Sequence, residues 1–377
     1  MSAGLIIRHL CSGLLLINGG YILYNLRVYQ TRSKGRGKAL LTIRSFRNSD
    51  SPALLKIWDK RARLTPEHFR PLSMALLEQH ILGRPYFDRR GLLLAFDDNQ
   101  PVGFAHAAFG PNRDHTNIDR MTGVVCMLMT LPEYENRRDA GIELLKASET
   151  YLVEHGAKLV YGGAVRPAAP FYMGLYGGSE PIGVFESDTQ AIDLYRSSGY
   201  ETINNTLLFR VALDNYKIPI TVKTVPWRRK ITLSRTDLPQ PKHWWEACMM
   251  CHFVWMKISG HLPHDPKPAG SVVMRVTDSL DMPDFHSQQA VMPPGSSRPL
   301  YRRTYTAGLM DIEIREDCRN KGLATYLMGE MIREVQKEHV TTFEAQAAEE
   351  NMPLVALLKA MRWNIADRGE VFRKNLA

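Results

Sequence analysis

Apolar and polar positions change from a strand pattern to a helical one across a short turn near residue 320. Before the turn, Ile312 and Ile314 alternate with polar neighbours, as a half-buried strand requires. After it, apolar residues recur every four positions along one helical face: Leu323, Leu327, Met331 and Val335. The pattern predicts a strand, a turn, and a helix that begins near residue 323.

The turn itself contains residues that favour a bound anion. Arg319, Asn320, Lys321 and Gly322 precede the predicted helix, whose first N–H groups have no partner inside the helix. The positive end of the helix dipole lies at the same place, and Arg319 and Lys321 add full charge. Gly322 allows a close approach to the backbone. These residue types suit a pyrophosphate.

This segment resembles the acyl-coenzyme A motif of the GNAT N-acetyltransferase superfamily. The motif is Arg or Gln, two residues, Gly, one residue, then Gly or Ala, and Arg319, Gly322 and Ala324 match its fixed places. Downstream, residues 342–347 are similar to the family's next strand, and residues 351–363 to its closing helix signature. The spacing between loop and signature is also that of the family.

A diverged copy of the same order occurs earlier in the chain, as a tandem duplication predicts. Residues 124–131 form an apolar run, 136–141 take the place of the loop, and 142–155 have a helical period. Residues 188–200 resemble the helix signature more closely than the second copy does. We therefore predict two GNAT-like domains, 42–213 and 214–377, after a basic and apolar extension over residues 1–41.

The resemblance implies an α/β (α+β) fold in each domain, with a bent mixed sheet flanked by helices. Its fourth and fifth strands part and hold the pantetheine arm of acetyl-coenzyme A, the co-substrate; no metal is expected. The backbone of Ile314 would pair with that arm, and Leu131 takes this place in the first copy. The other implied cofactor-binding residues are Arg319, Asn320, Lys321, Gly322, Leu323, Ala324 and Asn351.

The two copies depart from the family in different ways. The first has Tyr195 where the family has its general acid, but Asp139 stands where the loop needs glycine. The second has a matching loop but Leu358 in the place of the tyrosine. A general acid contributes about 100- to 10,000-fold, whereas a weak loop loses the cofactor itself. We therefore predict that the second copy holds the acyl-coenzyme A.

Candidate catalytic residues each have a simpler structural interpretation. Tyr195 is a candidate general acid, or a buried aromatic beneath a helix. Glu313 lies on the predicted fourth strand, where it or Glu344 could relay a proton from the amine through water. Glu313 is otherwise a solvated strand residue. Direct attack of an amine on the thioester would be helped by a backbone N–H of the fourth strand.

Composition is that of an ordinary globular protein with a basic first segment. The chain has 377 residues, 44% hydrophobic and 23% charged, with a net charge of +9. The first 42 residues hold six Lys or Arg and no acid, so 42 basic residues face 39 acidic ones in the remainder. No stripe of alternating basic and aromatic residues occurs, and we predict no nucleic-acid partner.

Residues 10–26 are largely apolar and have three open interpretations: a loose extension or overlong gene start, a weak membrane anchor, or a cleaved signal. Their length, about 17 residues, is at the lower limit of a spanning helix. Five cations follow the stretch and only Arg8 precedes it. The positive-inside rule then leaves the body in the cytoplasm, so we expect a cytoplasmic protein and no membrane partner.

Cysteines suggest one alternative chemistry. Cys248, Cys251 and His252 match the attachment pattern of a c-type haem, which would require export. With His261 and His264 added, the two cysteines have the spacing of a zinc site. The simpler interpretation is that they are buried cysteines of an apolar helix.

A segment rich in proline, glycine and aromatics, residues 166–180, interrupts the first copy after its fifth strand. We expect it either to line a substrate pocket or to form a structural cap between the two halves. The predicted function is transfer of an acetyl group to an amine of a small molecule or peptide. A catalytically silent acyl-coenzyme A sensor is the alternative, and the sequence does not name the acceptor.

Overall fold

The computed structural model describes residues 11–17, 20–26, 28–30, 41–134, 139–250, 253–276, 288–291, 300–303, 305–338 and 340–376. The chain divides into two compact units. The first comprises residues 1–175, 183–203 and 370–377, and the second comprises residues 176–182 and 204–369.

The first unit contains a mixed sheet flanked by helices, and a separate sheet of two strands. Its strands are β1 (Cys11–Ile17), β2 (Gly20–Leu26), β3 (Val28–Gln30), β4 (Leu41–Ser45), β5 (Leu92–Asp97), β6 (Gln100–Pro111), β7 (Ile118–Thr130), β8 (Leu159–Gly162) and β9 (Val184–Phe185). Its helices are α1 (Ser51–Ala62), α2 (Met74–Leu77), α3 (Asp139–Glu154) and α4 (Thr189–Ser197), with shorter turns at Asn48–Asp50, Glu78–Leu82 and Pro132–Tyr134. Strands β3 to β8 are neighbours in chain order, and only β7 and β8 run parallel.

The second unit repeats this plan. Besides residues 176–182, it contains β10 (Glu201–Ala212), of which residues 204–212 belong to it, α5 (Trp227–Lys230), β11 (Thr232–Asp237), α6 (Trp244–Met250), β12 (Val254–His261), β13 (Pro268–Val276), β14 (Gln288–Val291), β15 (Leu300–Arg303), β16 (Tyr305–Ile314), a turn at Glu316–Cys318, α7 (Leu323–Lys337), β17 (Val340–Ala348), α8 (Met352–Ala360) and β18 (Asn364–Asn375), of which residues 364–369 belong to it. Its sheet has the order β11-β12-β13-β16-β17-β10, and only β16 and β17 are parallel.

The compact units divide the chain differently from the ranges 42–213 and 214–377 of the sequence repeat, and those two ranges stay a prediction. Residues 206–212 of β10 pair with β17 of the second unit, and residues 372–375 of β18 pair with β8 of the first. Sequence order alone does not identify a strand's partner, because hydrogen bonding between strands is decided by the assembled sheet.

Apolar periodicity correctly predicted the long helix of the second unit. Leu323, Leu327, Met331 and Val335 are all buried on α7, in the main core of that unit. Full burial of an aliphatic side chain stabilises a fold by about 2 kcal/mol, so this face holds the helix on the sheet. The mixed α/β class predicted for the chain is confirmed.

Parts of the predicted extension, residues 1–10 and 31–40, lie outside the described residues. Residues 11–17 and 20–26 form two antiparallel strands, β1 and β2, and β3 pairs with β4 at the edge of the first unit's sheet. The described parts of the apolar stretch are therefore strands. Within the described parts of the chain, no helix combines the length and apolar character that crossing a bilayer requires.

Candidate functional site

A bulge interrupts strand β16 at Met310. Val273 of β13 lies opposite Asp311, but the next residue, Met274, lies opposite Leu309, so Met310 is an extra residue on β16. The parallel pairing of β16 with β17 ends at the same level, with Leu309 opposite Ala345. Beyond this point β16 continues beside β13 and β17 beside β10. A gap therefore opens between the two parallel strands, as the resemblance predicted.

Backbone groups of β16 face this gap. Arg315 donates its N–H to the carbonyl of Ala269 at 2.9 Å, on the β13 side. Because successive residues of a strand turn their N–H and C=O to opposite sides, those of Ile312 and Ile314 face the gap. The carbonyl of Ile314 accepts a hydrogen bond from Arg319 Nε at 3.1 Å, which agrees with that direction. The backbone of Ile314 therefore faces the gap, and its pairing with a pantetheine arm stays a prediction.

The turn after β16 ends at an open helix N-terminus. Asn320 and Gly322 have left-handed backbones, with φ of 59° and 83°, and Gly322 is the N-cap of α7. No side-chain hydrogen bond caps this helix, so the N–H groups of residues 323–325 remain available to a ligand. Together with the positive dipole end of this helix, they form an anion-binding position.

Two basic side chains of the turn, Arg319 and Lys321, donate hydrogen bonds to nearby backbone carbonyls. Lys321 Nζ donates to the carbonyl of Asp317 at 2.7 Å, much as Arg319 bonds Ile314. Arg315 pairs with Asp265 and Asp317, and this guanidinium holds the pKa of both carboxyls below their usual range. The negative charges of Asp265 and Asp317 are therefore compensated by Arg315.

Position 322 has no room for a side chain, for a reason that the sequence did not reveal. A Cβ at this position would lie 2.8–2.9 Å from Lys223, against its backbone carbonyl and Cβ. Trp227 Nε1 donates to the carbonyl of Lys321 at 2.7 Å and fastens the same segment to the turn. The segment that leads into α5 therefore walls one side of the turn, although no role was predicted for it.

Glu313 lies at the surface and forms a pair with a lysine. Lys242 Nζ lies 2.5 Å from Glu313 Oε1 and 3.1 Å from Asp311 Oδ2, and the hydrogen bond to Glu313 raises the pKa of the lysine. The side chain of Glu313 is 58% exposed. Its catalytic role stays a prediction.

Glu344, the second candidate base, is buried at the foot of the gap. It accepts hydrogen bonds from Arg210 Nε at 2.8 Å and from the backbone N–H of Ser179 at 3.1 Å. Gln346, two residues along β17, donates through Nε2 to the carbonyl of Gly177 at 2.9 Å. The sequence did not single out Arg210, Ser179 or Gln346, because they meet Glu344 only in the folded unit.

Tyr195 lies at the equivalent level of the first unit. There the extra residue is Cys126, and the parallel pairing of β7 with β8 ends at Val125 and Gly162. A Cβ on Gly162 would lie 2.4 Å from the Tyr195 ring, which stacks on Phe372 with centroids 5.2 Å apart. Tyr195 is only 2% exposed. Its general-acid role stays a prediction, beside an evident role in packing.

The first unit's own loop is only partly described. Residues 136–138 lie outside the described residues, and Asp139 is the first residue of α3. Leu131, expected to correspond to Ile314, donates its N–H to the carbonyl of Val102 at 2.8 Å. By strand alternation, the backbone that faces the first gap is therefore that of Thr130. Counting residues along the sequence did not predict this shift of one residue, because the bulge at Cys126 determines which residues of β7 pair with β6.

The interrupting segment fills the side of the first unit's sheet next to the bulge. Tyr172 hydrogen-bonds His106 Nδ1 at 3.0 Å and stacks on Trp58 with centroids 5.7 Å apart. The backbone of Ala168 lies where a side chain at Gly110 would point. Residues 166–175 therefore pack within the first unit, whereas residues 176–182 belong to the second.

Burial of His106 makes stability depend on pH. Burial lowers the pKa of His106 to about 3, with the charge of Asp88 opposing this shift. An unfolded histidine titrates near pH 6.5 and gains a proton there, whereas the buried His106 stays neutral until about pH 3. The free energy of unfolding is therefore highest above pH 6.5 and decreases as the pH falls toward 3. Between pH 6.5 and pH 5 we expect a loss of about 2 kcal/mol. Urea unfolding of the wild type and of His106→Gln at both pH values measures it; an equal pH dependence in the two proteins would contradict it.

Asn351, predicted to bind the cofactor, has a structural task. Its side chain accepts a hydrogen bond from the N–H of Leu354 at 3.3 Å and caps α8, as Asp188 caps α4. A capping side chain contributes about 1 kcal/mol to a helix. Contact of Asn351 with the cofactor stays a prediction.

Cysteines of the described chain give no metal centre. Cys248 is partly buried on α6, while Cys251 and His252 lie outside the described residues. Among the described residues, no group of three His, Cys, Asp or Glu side chains is arranged to hold a metal ion. Cys318 is buried in the second unit's core, and burial raises the pKa of its thiol.

A bulged strand, a parallel neighbour that parts beside the bulge, and an uncapped helix after the strand define the GNAT class of acyltransferase fold. The chain belongs to this family: the model of the Acetyltransferase (GNAT) family matches residues 54–175 and 224–361, more than half of the chain. Among curated proteins, no sequence matches the chain at a significant level.

Solved structures share the fold at low sequence identity. A tandem GNAT protein from the clavulanic acid biosynthesis pathway has a TM-score of 0.61 and 13% identity, with 89% of this chain and 98% of that chain covered. A GNAT protein from Sphaerobacter thermophilus has a TM-score of 0.56 and 12% identity, with 89% and 95% covered. A glucosamine N-acetyltransferase region of a fungal GH3 β-N-acetylglucosaminidase has a TM-score of 0.61 and 15% identity, with 91% and 39% covered. A tandem arrangement is thus represented among proteins of this fold.

Proposed function

We propose that this protein transfers an acetyl group from acetyl-coenzyme A to an amine of a small molecule or peptide. The second unit holds the donor. One observation carries the proposal: in that unit, backbone groups of Ile312 and Ile314 face the gap that leads to the uncapped N-terminus of α7. An extended thioester arm and a diphosphate need these two features in this order.

The reaction requires little from side chains. The amine nitrogen attacks the thioester carbon, the C–N bond forms, the C–S bond breaks, and the amine proton passes through water to the released thiolate. A backbone N–H of β16 stabilises the oxyanion that develops on the carbonyl oxygen. A thiol with a pKa of about 8.5 leaves readily without a proton donor. Leu358 at the family's general-acid position is compatible with this path.

The first unit is the less suitable donor site. Asp139 puts a negative charge into the first turn of α3, where a diphosphate would lie. On the sheet beside the bulge, Tyr172 and His106 fill the space that an acceptor would need. Both features support assignment of the cofactor to the second unit.

Release of thiol from acetyl-coenzyme A, measured across a library of amines with the full chain, tests the proposal. We expect one class of amine to give turnover above the hydrolysis rate. The sensor alternative is favoured by one observation, the engagement of Glu313 and Glu344 by cations. Calorimetric binding of coenzyme A with no turnover would establish the sensor, and absence of binding would reject both.

Replacing Tyr195 by phenylalanine is expected to leave turnover within about two-fold of the wild type, since the donor site lies in the second unit. A general acid contributes about 100- to 10,000-fold. Steady-state kinetics of the variant therefore discriminate between the units. A loss of more than ten-fold, with an unchanged unfolding midpoint, would move the chemistry to the first unit.

The proposal includes a cytoplasmic location: were the apolar stretch of residues 10–26 to span a membrane, the five cations that follow it would keep the body in the cytoplasm. A reporter fused to the C-terminus, tested for access from outside intact cells, checks it.

A further inference from the structure

Residues 217–230, here called the strap, are fastened along the first turns of α7. The backbone of Lys223 lies against Gly322, and Trp227 donates to the carbonyl of Lys321 at 2.7 Å. Further along the helix, the Ile218 side chain lies 2.9 Å from the position of a Cβ on Gly329. The strap is therefore a fixed wall beside the anion-binding turn.

Charge on the strap is of one sign. It contains no acid and five exposed cations, Lys217, Lys223, Arg228, Arg229 and Lys230. Among the described residues, none of these five forms an ion pair, in contrast to Arg315 and Lys242. Arg228 is close enough to Tyr326, in the first turn of α7, to oppose the larger rise in the tyrosine pKa caused by burial. The segment that lies against the turn therefore carries uncompensated cations, of which Lys223 and Arg228 lie near the start of α7.

Aliphatic side chains on the strap are exposed beside these cations. Val222 is 90% exposed, Ile220 63% and Val225 49%. Thr224 is buried and closes a turn by donating Oγ1–H to the carbonyl of Thr221 at 2.8 Å. The turn and the buried Trp227 therefore hold the strap in shape, while its aliphatic groups face solvent and offer an apolar surface to a flat ring.

We propose that the strap binds the 3′-phosphoadenosine end of coenzyme A. Lys223 and Arg228 hold the 3′-phosphate, and the aliphatic group at Val222 contacts the adenine ring. The inference rests on the proposed function, because a diphosphate over residues 319–324 brings the attached nucleoside next to Lys223. A dianionic phosphate between two cations explains why these side chains have no carboxylate partners.

Calorimetry with coenzyme A and with dephospho-coenzyme A, which lacks only the 3′-phosphate, tests this. We expect the full-length wild type to bind coenzyme A at least ten-fold more tightly. The variant Lys223→Ala/Arg228→Ala should bind both forms with equal affinity, and its affinity for dephospho-coenzyme A should remain that of the wild type. The control Arg113→Ala/Lys359→Ala removes two exposed cations outside the strap and should keep the preference.

Val222→Ser tests the adenine contact separately. It should weaken both forms of the cofactor by about three- to five-fold, since both retain adenine, whereas Val254→Ser, at another exposed valine, should change neither. A wild-type preference retained by the double variant would overturn the assignment of the 3′-phosphate. Failure of the wild type to bind either form would instead overturn the proposed function, so the two failures are distinguishable.

Discussion

Replacing Ala324 by aspartate is expected to abolish coenzyme A binding without unfolding the protein. Ala324 is the second residue of α7, within the first turn that would face the diphosphate. Two like charges about 4 Å apart near a protein surface repel by roughly 4 kcal/mol, so we expect a loss of at least 100-fold in affinity. An acidic residue in the first turn also interacts favourably with the helix dipole, by about 0.3–1 kcal/mol. Binding and stability should therefore change in opposite directions.

Calorimetry with coenzyme A and thermal unfolding of the same samples measure the two effects. The matched control is Thr189→Asp, which places the same charge at the first position of α4 in the first unit. Ala324 tests the charge effect more cleanly than Gly322 does. At Gly322 any side chain would contact the Lys223 backbone and would be strained by a φ of 83°. Unchanged affinity in Ala324→Asp would assign the donor to the first unit.

A methyl group added at Gly308 is expected to destabilise the second unit by about 3 kcal/mol. A Cβ there would lie 2.0 Å from both Cβ and Oγ of Ser179, which no rotamer change at residue 308 relieves. Ser179 is fully buried and its N–H is held by Glu344 at 3.1 Å, so it cannot withdraw without breaking that bond. Overpacking a core costs about 1–3 kcal/mol, and this contact is at the severe end.

Ser179→Gly provides the rescue. Alone it should cost about 1 kcal/mol, through loss of the hydroxyl hydrogen bond to Glu344 and added freedom of the unfolded chain. In Gly308→Ala/Ser179→Gly the clash is removed, so the double variant should be more stable than Gly308→Ala by about 2 kcal/mol. Urea unfolding of the four proteins gives this cycle. Additive losses would show that residues 176–182 do not rest on β16 in solution.

Sequence patterns predicted local elements well where one face is buried. The four-residue spacing from Leu323 to Val335 identified α7, and the glycine-bearing turn identified its N-terminus. The loop motif placed the candidate diphosphate position, because helix N-termini bind anions by local backbone geometry. Boundaries of the two units were not predictable in this way, since the partners of β10 and β18 lie far away in sequence.

The amino-acid sequence by itself determined the family, the repeated order of elements and the turn proposed to bind an anion, because all three depend on residues close together along the chain. Only the tertiary structure decided that the backbone of Lys223 packs against Gly322 and that Arg210 pairs with Glu344. It also decided that the backbone of Thr130, and not that of Leu131, faces the first gap. Those features depend on strand register and on contacts between distant segments. Register changes by one residue at each bulge, and no local pattern of apolar and polar positions records that change.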